Sequence, residues 1–510
     1  MATLEAPSLE QPKQTASIAR SPMAIIARNS AFVLGTQMVL KILAFLFNVY
    51  VVRRLGDVHF GRYTAAIAYV DLFAVFTDWG MSPYAVREMA RDHRRTSWLL
   101  PNIVAIRVVL SLIIMLIAPL SALWLGKGSD MVLGILIASA GLILYAFQGP
   151  LDSALTARER LDYISAFILI NQLIFWGVGV LLLINGIGFI GLIIASTAGV
   201  AVVALLSGWT LFKLGMGRLT LSVRLWPQLL LAALPFGVSS ISYVFMRRFK
   251  TVLMSFVLSD AAVGWYSVPG TLMSPVVLIA QSIAIAMYPS MVRSYTDDPE
   301  SLPQVVWQAI KYLLIVCLPV VVGGTMLADR IIITLYGETF VNSVPVLRVI
   351  LWALPSAFLL ELLGRISDTL RLERPAARIN VINAVIVVVL NLILVPTLGI
   401  LGAALAAVVG GTIRLMQYWR LIGNDRLVSR RWGLLLRVAL AAAAMGVIVF
   451  FLHRTPTFGT VDSKVGLLAL IGIGAVAYVV ALLASGSIER REMEFMRKMA
   501  IEQLARGSAK

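Results

Sequence analysis

Three basic residues, Arg247, Arg248 and Lys250, stand inside an apolar run long enough to cross a bilayer. Each charge at the centre of a spanning helix costs roughly 2.5–3.5 kcal/mol on insertion scales, so a cluster kept there calls for a use. Arg247 and Lys250 are three positions apart and share a helix face, with Arg248 about 100° round from Arg247. Together they form a broad basic wall, and a guanidinium fork suits the oxygens of a phosphate. The long stems also allow the three heads to snorkel to the headgroup layer, which would make the cluster an anchor. Lys41, midway along an earlier apolar run, offers a fourth cation. Arg107, Lys311 and Arg348 are weaker candidates, each close enough to an expected helix end to snorkel.

Acidic residues in spanning segments are rarer. Asp71 and Asp78 are seven apart, on one face and about two turns distant. They are either ion-pair partners of Lys41 or a site for a proton or another cation, unless Asp78 already marks a helix end. No GxxxxGK[ST] phosphate loop occurs, which argues against ATP hydrolysis as the driving force. Glu361 is placed to pair with Arg365 one turn on. Asn380, Asn383, Asn391 and Gln281, with Asn171 and Gln172, are neutral groups that suit sugar hydroxyls, or that hydrogen-bond between helices at about 0.6 kcal/mol per pair. His59, His93 and His453 are scattered over three loops, so no metal centre, cofactor or catalytic constellation is expected, and the chain is not expected to be an enzyme. The single cysteine, Cys317, lies in an apolar run and is expected to be a packing residue.

The elements that carry these residues follow from composition. Of 510 residues, 59% are hydrophobic and 14% charged, which excludes a water-soluble globular fold. Runs of ~20 apolar residues, the length a bilayer requires, recur at 29–52, 62–81, 101–125, 131–149, 164–184, 189–212, 228–258, 265–289, 305–328, 343–363, 380–398, 401–421, 433–452 and 465–484. The expected fold class is an all-α polytopic membrane protein of about fourteen helices. Placing the N-terminus in the cytosol puts 27 Lys and Arg residues in inner segments against 7 in outer ones, as the positive-inside rule demands. Both termini are then cytoplasmic. The net charge of +17 is accounted for by this topology and by anionic headgroups, and nucleic acid is not an expected partner. Residues 1–28, which have no apolar signal-peptide core, and residues 485–510 are expected to be cytoplasmic tails, the latter with the pattern of an amphipathic helix on the inner leaflet. Pro235, Pro269, Pro275, Pro289, Pro319 and Pro355 are expected to kink or interrupt helices seven to ten; Pro235 should separate an interfacial entry from the spanning part of helix seven.

An internal repeat organises the fourteen helices. Residues 55–64 (LGDVHFGRYT) and 258–267 (LSDAAVGWYS) coincide at Leu, Asp, Gly and Tyr with an offset of 203. A second echo joins Glu159-Arg160 to Glu373-Arg374, and Gly188 and Gly191 to Gly399 and Gly402. The expected organisation is a first six-helix lobe at 29–212, a cytoplasmic linker at 213–227, a second six-helix lobe at 228–421, and helices thirteen and fourteen at 433–484.

Several stretches resemble polysaccharide-unit flippases of the multidrug/oligosaccharidyl-lipid/polysaccharide exporter superfamily. They are Arg54-Leu55-Gly56 with Phe60-Gly61-Arg62-Tyr63, Asp78-Trp79-Gly80 with Arg87-Glu88, and Val263-Gly264-Trp265-Tyr266-Ser267. Further along, Leu335-Tyr336-Gly337 and the run 391–396 (NLILVP), followed by Gly399-Ile400 and Gly402-Ala403-Ala404, continue the resemblance. It implies a pair of lobes that alternate access and move undecaprenyl-pyrophosphate-linked oligosaccharides from the inner to the outer leaflet of a bacterial cytoplasmic membrane. Lys41, Arg247, Arg248 and Lys250 are then candidates for the pyrophosphate. The expected partners are the lipid-linked oligosaccharide, membrane lipids and polysaccharide polymerase machinery, with the chain a monomer. A drug or cation antiporter of the same superfamily would favour acidic residues in the cleft; a lipid II flippase would keep both fold and substrate type. A polymerase or ligase would require a large outer loop, which the spans leave no room for.

Overall fold

The structure, a computed structural model, describes residues 22–213, 220–423, 432–455 and 464–487. Within these residues the fold is all helical. The first helix, α1, is drawn from Pro22 to Asp78 and is bent at Gly56, whose φ of 72° and ψ of 179° only glycine adopts without strain. Its two arms replace the expected pair of helices and the loop between them, so Arg53, Arg54 and Arg62 lie on helix and not in a connection. The N-terminal arm through Asn48 forms a unit of its own, on which Lys41 is exposed; the remainder, from Val49, is described below.

The second arm of α1 ends at Asp78, confirming that this residue marks a helix end. A left-handed turn at Trp79 (φ 48°) and Gly80 (φ 75°) leads into α2 (Met81–Arg91), an amphipathic helix. Four long helices follow: α3 (Thr96–Trp124), α4 (Ser129–Ala157), α5 (Leu161–Ile184) and α6 (Gly188–Lys213). α4 packs on both α3 and α6, and α5 pairs with α6. The linker is anchored where it rejoins the fold. Buried Asn102 on α3 donates to the Thr220 carbonyl (3.0 Å) and accepts from the Ser222 amide (2.9 Å) and the Trp226 indole (3.2 Å).

The second group comprises α7 (Trp226–Val257), α8 (Asp260–Asp297), α9 (Leu302–Met326), α10 (Ala328–Tyr336), α11 (Ser343–Ile350), α12 (Leu354–Thr369), α13 (Glu373–Leu398) and α14 (Ile400–Ile422). Pro235 lies inside α7, which stays one helix across it; Pro355 begins α12 at a position where its missing N–H costs nothing. The span expected at 343–363 is made of α11, a single 3-10 turn and α12. Finally α15 (Trp432–Arg454) and α16 (Lys464–Ala484) pair with each other and lay Val438, Met445, Leu470 and Tyr478 against α9. The Tyr478 hydroxyl donates to the Ile315 carbonyl at 2.9 Å. Among the described residues, twelve helical segments beyond α1 are long and apolar enough to cross a membrane, and the two arms of α1 complete fourteen. The expected tail helix, residues 490–504, lies outside the described residues.

Equivalent residues of the two repeats meet face to face. Gly61 and Gly264, 203 apart, lie backbone to backbone: a side chain on Gly61 would strike the Asp260 carbonyl, and one on Gly264 the Asp57 carbonyl. Ser267 donates to Thr64, again 203 apart, at 3.4 Å. Arg62 donates to Asp260 (2.9 Å), and Trp265, in the position equivalent to Arg62, donates to Asp57 (3.0 Å). The contact is therefore reciprocal.

Candidate functional site

The basic wall is built by α7, and what faces it comes from the second arm of α1. Arg248 forms a salt bridge to Asp71 at 2.6 Å, joining the two repeats. Arg247 lies within electrostatic range of the same carboxylate; its guanidinium is exposed and donates to Tyr243 one turn earlier (3.0 Å). Lys250 is half-buried, with its ammonium 5.3 Å from the Tyr266 ring of α8. Among the described residues neither Arg247 nor Lys250 has a carboxylate partner, so the wall keeps two uncompensated cations beside one bridged pair.

Asp71 and Asp78, expected either to form ion pairs or to hold a cation, are each found in an ion pair. Asp71 binds Arg248, and Asp78 binds Arg107 at 2.8 Å. A helix turns by about 100° per residue, so seven positions place the two carboxylates on nearly one side. Asp78, the last residue of its helix, meets Arg107 of α3. Arg107 does not snorkel: it is 1% exposed and is the largest fully buried side chain among the described residues. Sequence position alone put it near a helix end; the signal that would have found it is the group Asp78, Ser82 and Asp152, each interacting with one buried guanidinium. Lys311 is likewise buried, against Tyr312, and does not snorkel.

The neutral polar candidates divide. A cavity of about 560 Å³ opens between α12, α13 and α14, lined by Glu361, Arg365, Asp368, Asn380, Arg414 and Tyr418 among others. Of the three asparagines only Asn380 reaches it, accepting from the Tyr418 hydroxyl at 3.2 Å. Asn383 and Asn391 are buried, and Asn391 donates to the Val387 carbonyl of its own helix (2.7 Å). Gln281 of α8 donates to Glu361 at 3.2 Å, while Arg365 stacks near Tyr288; the expected Glu361–Arg365 pair is replaced by these two contacts because α8 packs along α12.

Outside the spanning segments, Lys127 links the α3–α4 connection to the end of α7. Its ammonium donates to the Ser255 carbonyl and lies 4.5 Å from the Phe256 ring. Burial lowers the Lys127 pKa below the ordinary lysine value, with the Asp260 carboxylate opposing that shift.

Comparison with known proteins agrees with this geometry. The polysaccharide biosynthesis protein family model matches residues 26–295, and the MatE model matches 235–393. The chain is 24% identical over 366 residues to the probable low-salt glycan biosynthesis flippase Agl15 of Haloferax volcanii, covering 71% of this chain and 76% of that protein. It is 26% identical over 231 residues to the probable lipid II flippase MurJ of Rhizobium tropici, covering 42% and 43% of the two chains. Among solved structures, the lipid II flippase MurJ in an inward closed conformation superposes with a TM-score of 0.68 at 15% identity, over 87% of this chain and 97% of that one. An inward-facing multidrug resistance MATE family transporter superposes with a TM-score of 0.55 at 16% identity, over 76% and 94%. The chain belongs to the polysaccharide biosynthesis protein family.

Proposed function

We propose that this protein moves an undecaprenyl-pyrophosphate-linked oligosaccharide from the inner to the outer leaflet of a bacterial cytoplasmic membrane, with both termini in the cytosol. The observation that carries the proposal is the Arg248–Asp71 bridge between repeats, flanked by the uncompensated Arg247 and Lys250. A diphosphate arriving at this wall finds two free cations and competes with Asp71 for a third. Charge-assisted hydrogen bonds to phosphate favour that exchange, and each exchange releases a tie between the repeats. Lys41 is proposed as a fourth cation for the same group, Gln281 and Asn380 as contacts for the sugars, and the two six-helix lobes as the bodies that alternate. Asn383 and Asn391 serve helix packing in this scheme.

The test is translocation of a labelled undecaprenyl-pyrophosphate oligosaccharide by purified protein in liposomes. Arg247→Ala and Lys250→Ala should each weaken lipid binding by about ten- to a hundredfold, since a hydrogen bond to a charged group contributes roughly 1.5–3 kcal/mol. If wild-type protein leaves the lipid in place yet exchanges organic cations for protons or sodium, an antiporter function replaces the flippase. If it moves lipid II in preference, a lipid II flippase replaces the oligosaccharide flippase.

A further inference from the structure

Tyr145, Gln148, Gly149 and Asp152 recur along α4 at i, i+3, i+4 and i+7, which places them on one face. Arg107 of α3 lies against that face at Gly149, where any side chain would collide with its guanidinium. From there it donates to Asp78 (2.8 Å) and Ser82 (3.0 Å), and its centre lies 5.8 Å from the Tyr145 ring. The cluster thus holds two carboxylates, Asp78 and Asp152, against one guanidinium. Asp78 also accepts from Ser82 (2.5 Å) and is well supplied.

Asp152 is not. Its Oδ2 accepts from Gln148 Nε2 at 3.3 Å, but its Oδ1 is buried without a donor, and so is Oε1 of Gln148, a side chain 9% exposed. A buried acceptor left without a donor is destabilising and rare in folded proteins. Two such acceptors on adjacent side chains are satisfied together by one proton. A carboxylic acid and a primary amide form a two-bond ring, in which the amide N–H donates to the carbonyl oxygen and the acid O–H donates to the amide oxygen. The N–H half of that ring is present.

We propose that Asp152 is a proton-binding site of the first repeat, the proton on Oδ1 being donated to Oε1 of Gln148 while Arg107 stays with Asp78. The proton comes from water and returns to it; bound, it leaves one cation and one anion in the cluster. Charged groups on every packed element are accounted for. Arg107 of α3 and Tyr145 of α4 lie beside Asp152, and Asp78 closes α1. α2 brings Ser82, while its Glu88 is held by Arg87 and Arg95 and its Arg91 is exposed. α5 has Asp162, paired with Arg160, and α6 has no charged residue before Lys213. Deprotonation sets a second carboxylate against Arg107 and weakens its hold on Asp78. Asp78 directly precedes the Trp79–Gly80 turn, whose backbone lies against Gly237 of α7, so the proton reaches a contact between the repeats. The site does not depend on which lipid the protein carries.

Infrared difference spectroscopy on full-length protein in nanodiscs tests this directly, as pH is raised with no lipid substrate present. Wild type should lose a protonated-carboxyl C=O band that Asp152→Asn lacks at every pH, and Gln148→Leu should shift that band by removing its hydrogen-bond acceptor. Gln148→Leu keeps the test open if Asp152→Asn fails to fold. Superimposable wild-type and Asp152→Asn spectra throughout the carboxyl region would overturn the proposal, as would a Gln148→Leu band identical to that of wild type.

Discussion

Gly149 illustrates how an absent side chain places a charge. Its bare backbone admits the Arg107 guanidinium to the face of α4. Gly149→Ala should therefore destabilise the fold by about 1–3 kcal/mol through overpacking. Arg107→Ala should cost more, about 3 kcal/mol or above, because it empties the space of a fully buried side chain and takes the charged partner from the half-buried Asp78 carboxylate. Thermal unfolding of the purified protein in detergent orders the two. At this scale the sequence told which residues were out of place in a membrane, and the three cations of α7 were legible from spacing alone. It did not tell which carboxylate each would meet. Asp71 meets α7 and Asp78 meets α3, which depends on how those helices pack and not on local sequence, and Asp152 lay beyond the expected end of its helix at residue 149, where a carboxylate draws no notice.

Among the elements, hydropathy alone located all fourteen spans, since ~20 apolar residues are a strong and local signal. The short amphipathic helices α2 and α10 escaped it because half of each surface is polar, and the connection expected at 53–61 is helix because one glycine at positive φ makes the bend unaided. The reciprocal contact between the start of the second α1 arm and the start of α8 gives an element-level prediction. Thr64→Cys with Ser267→Cys should form a disulfide, the side-chain oxygens being 3.4 Å apart and the sole native cysteine, Cys317, buried. Lipid translocation should stop on oxidation and return on reduction; undiminished transport by the crosslinked protein would show that this contact never opens.

For the molecule as a whole, the excess of basic residues on alternate connections predicts an orientation that labelling can check. Glu300→Cys, in the exposed connection between α8 and α9, should react with a membrane-impermeant maleimide only in inverted vesicles. Ser129→Cys, at the start of α4, should react only in intact cells. The reverse pattern would invert the topology and with it the proposed direction of transport.

The paired glycines also say something about ancestry. A surface in which one residue meets a second, and the equivalents of the two meet in return, is what two identical subunits make around a two-fold axis. A chain with an even number of helices per repeat leaves both copies the same way up, so a single six-helix polypeptide could have closed on itself through Gly61 and Gly264 before any fusion. Fusion then freed each side to change without its twin, and the present pairings, arginine with aspartate on one side and tryptophan with aspartate on the other, are what independent drift from one shared interface leaves behind.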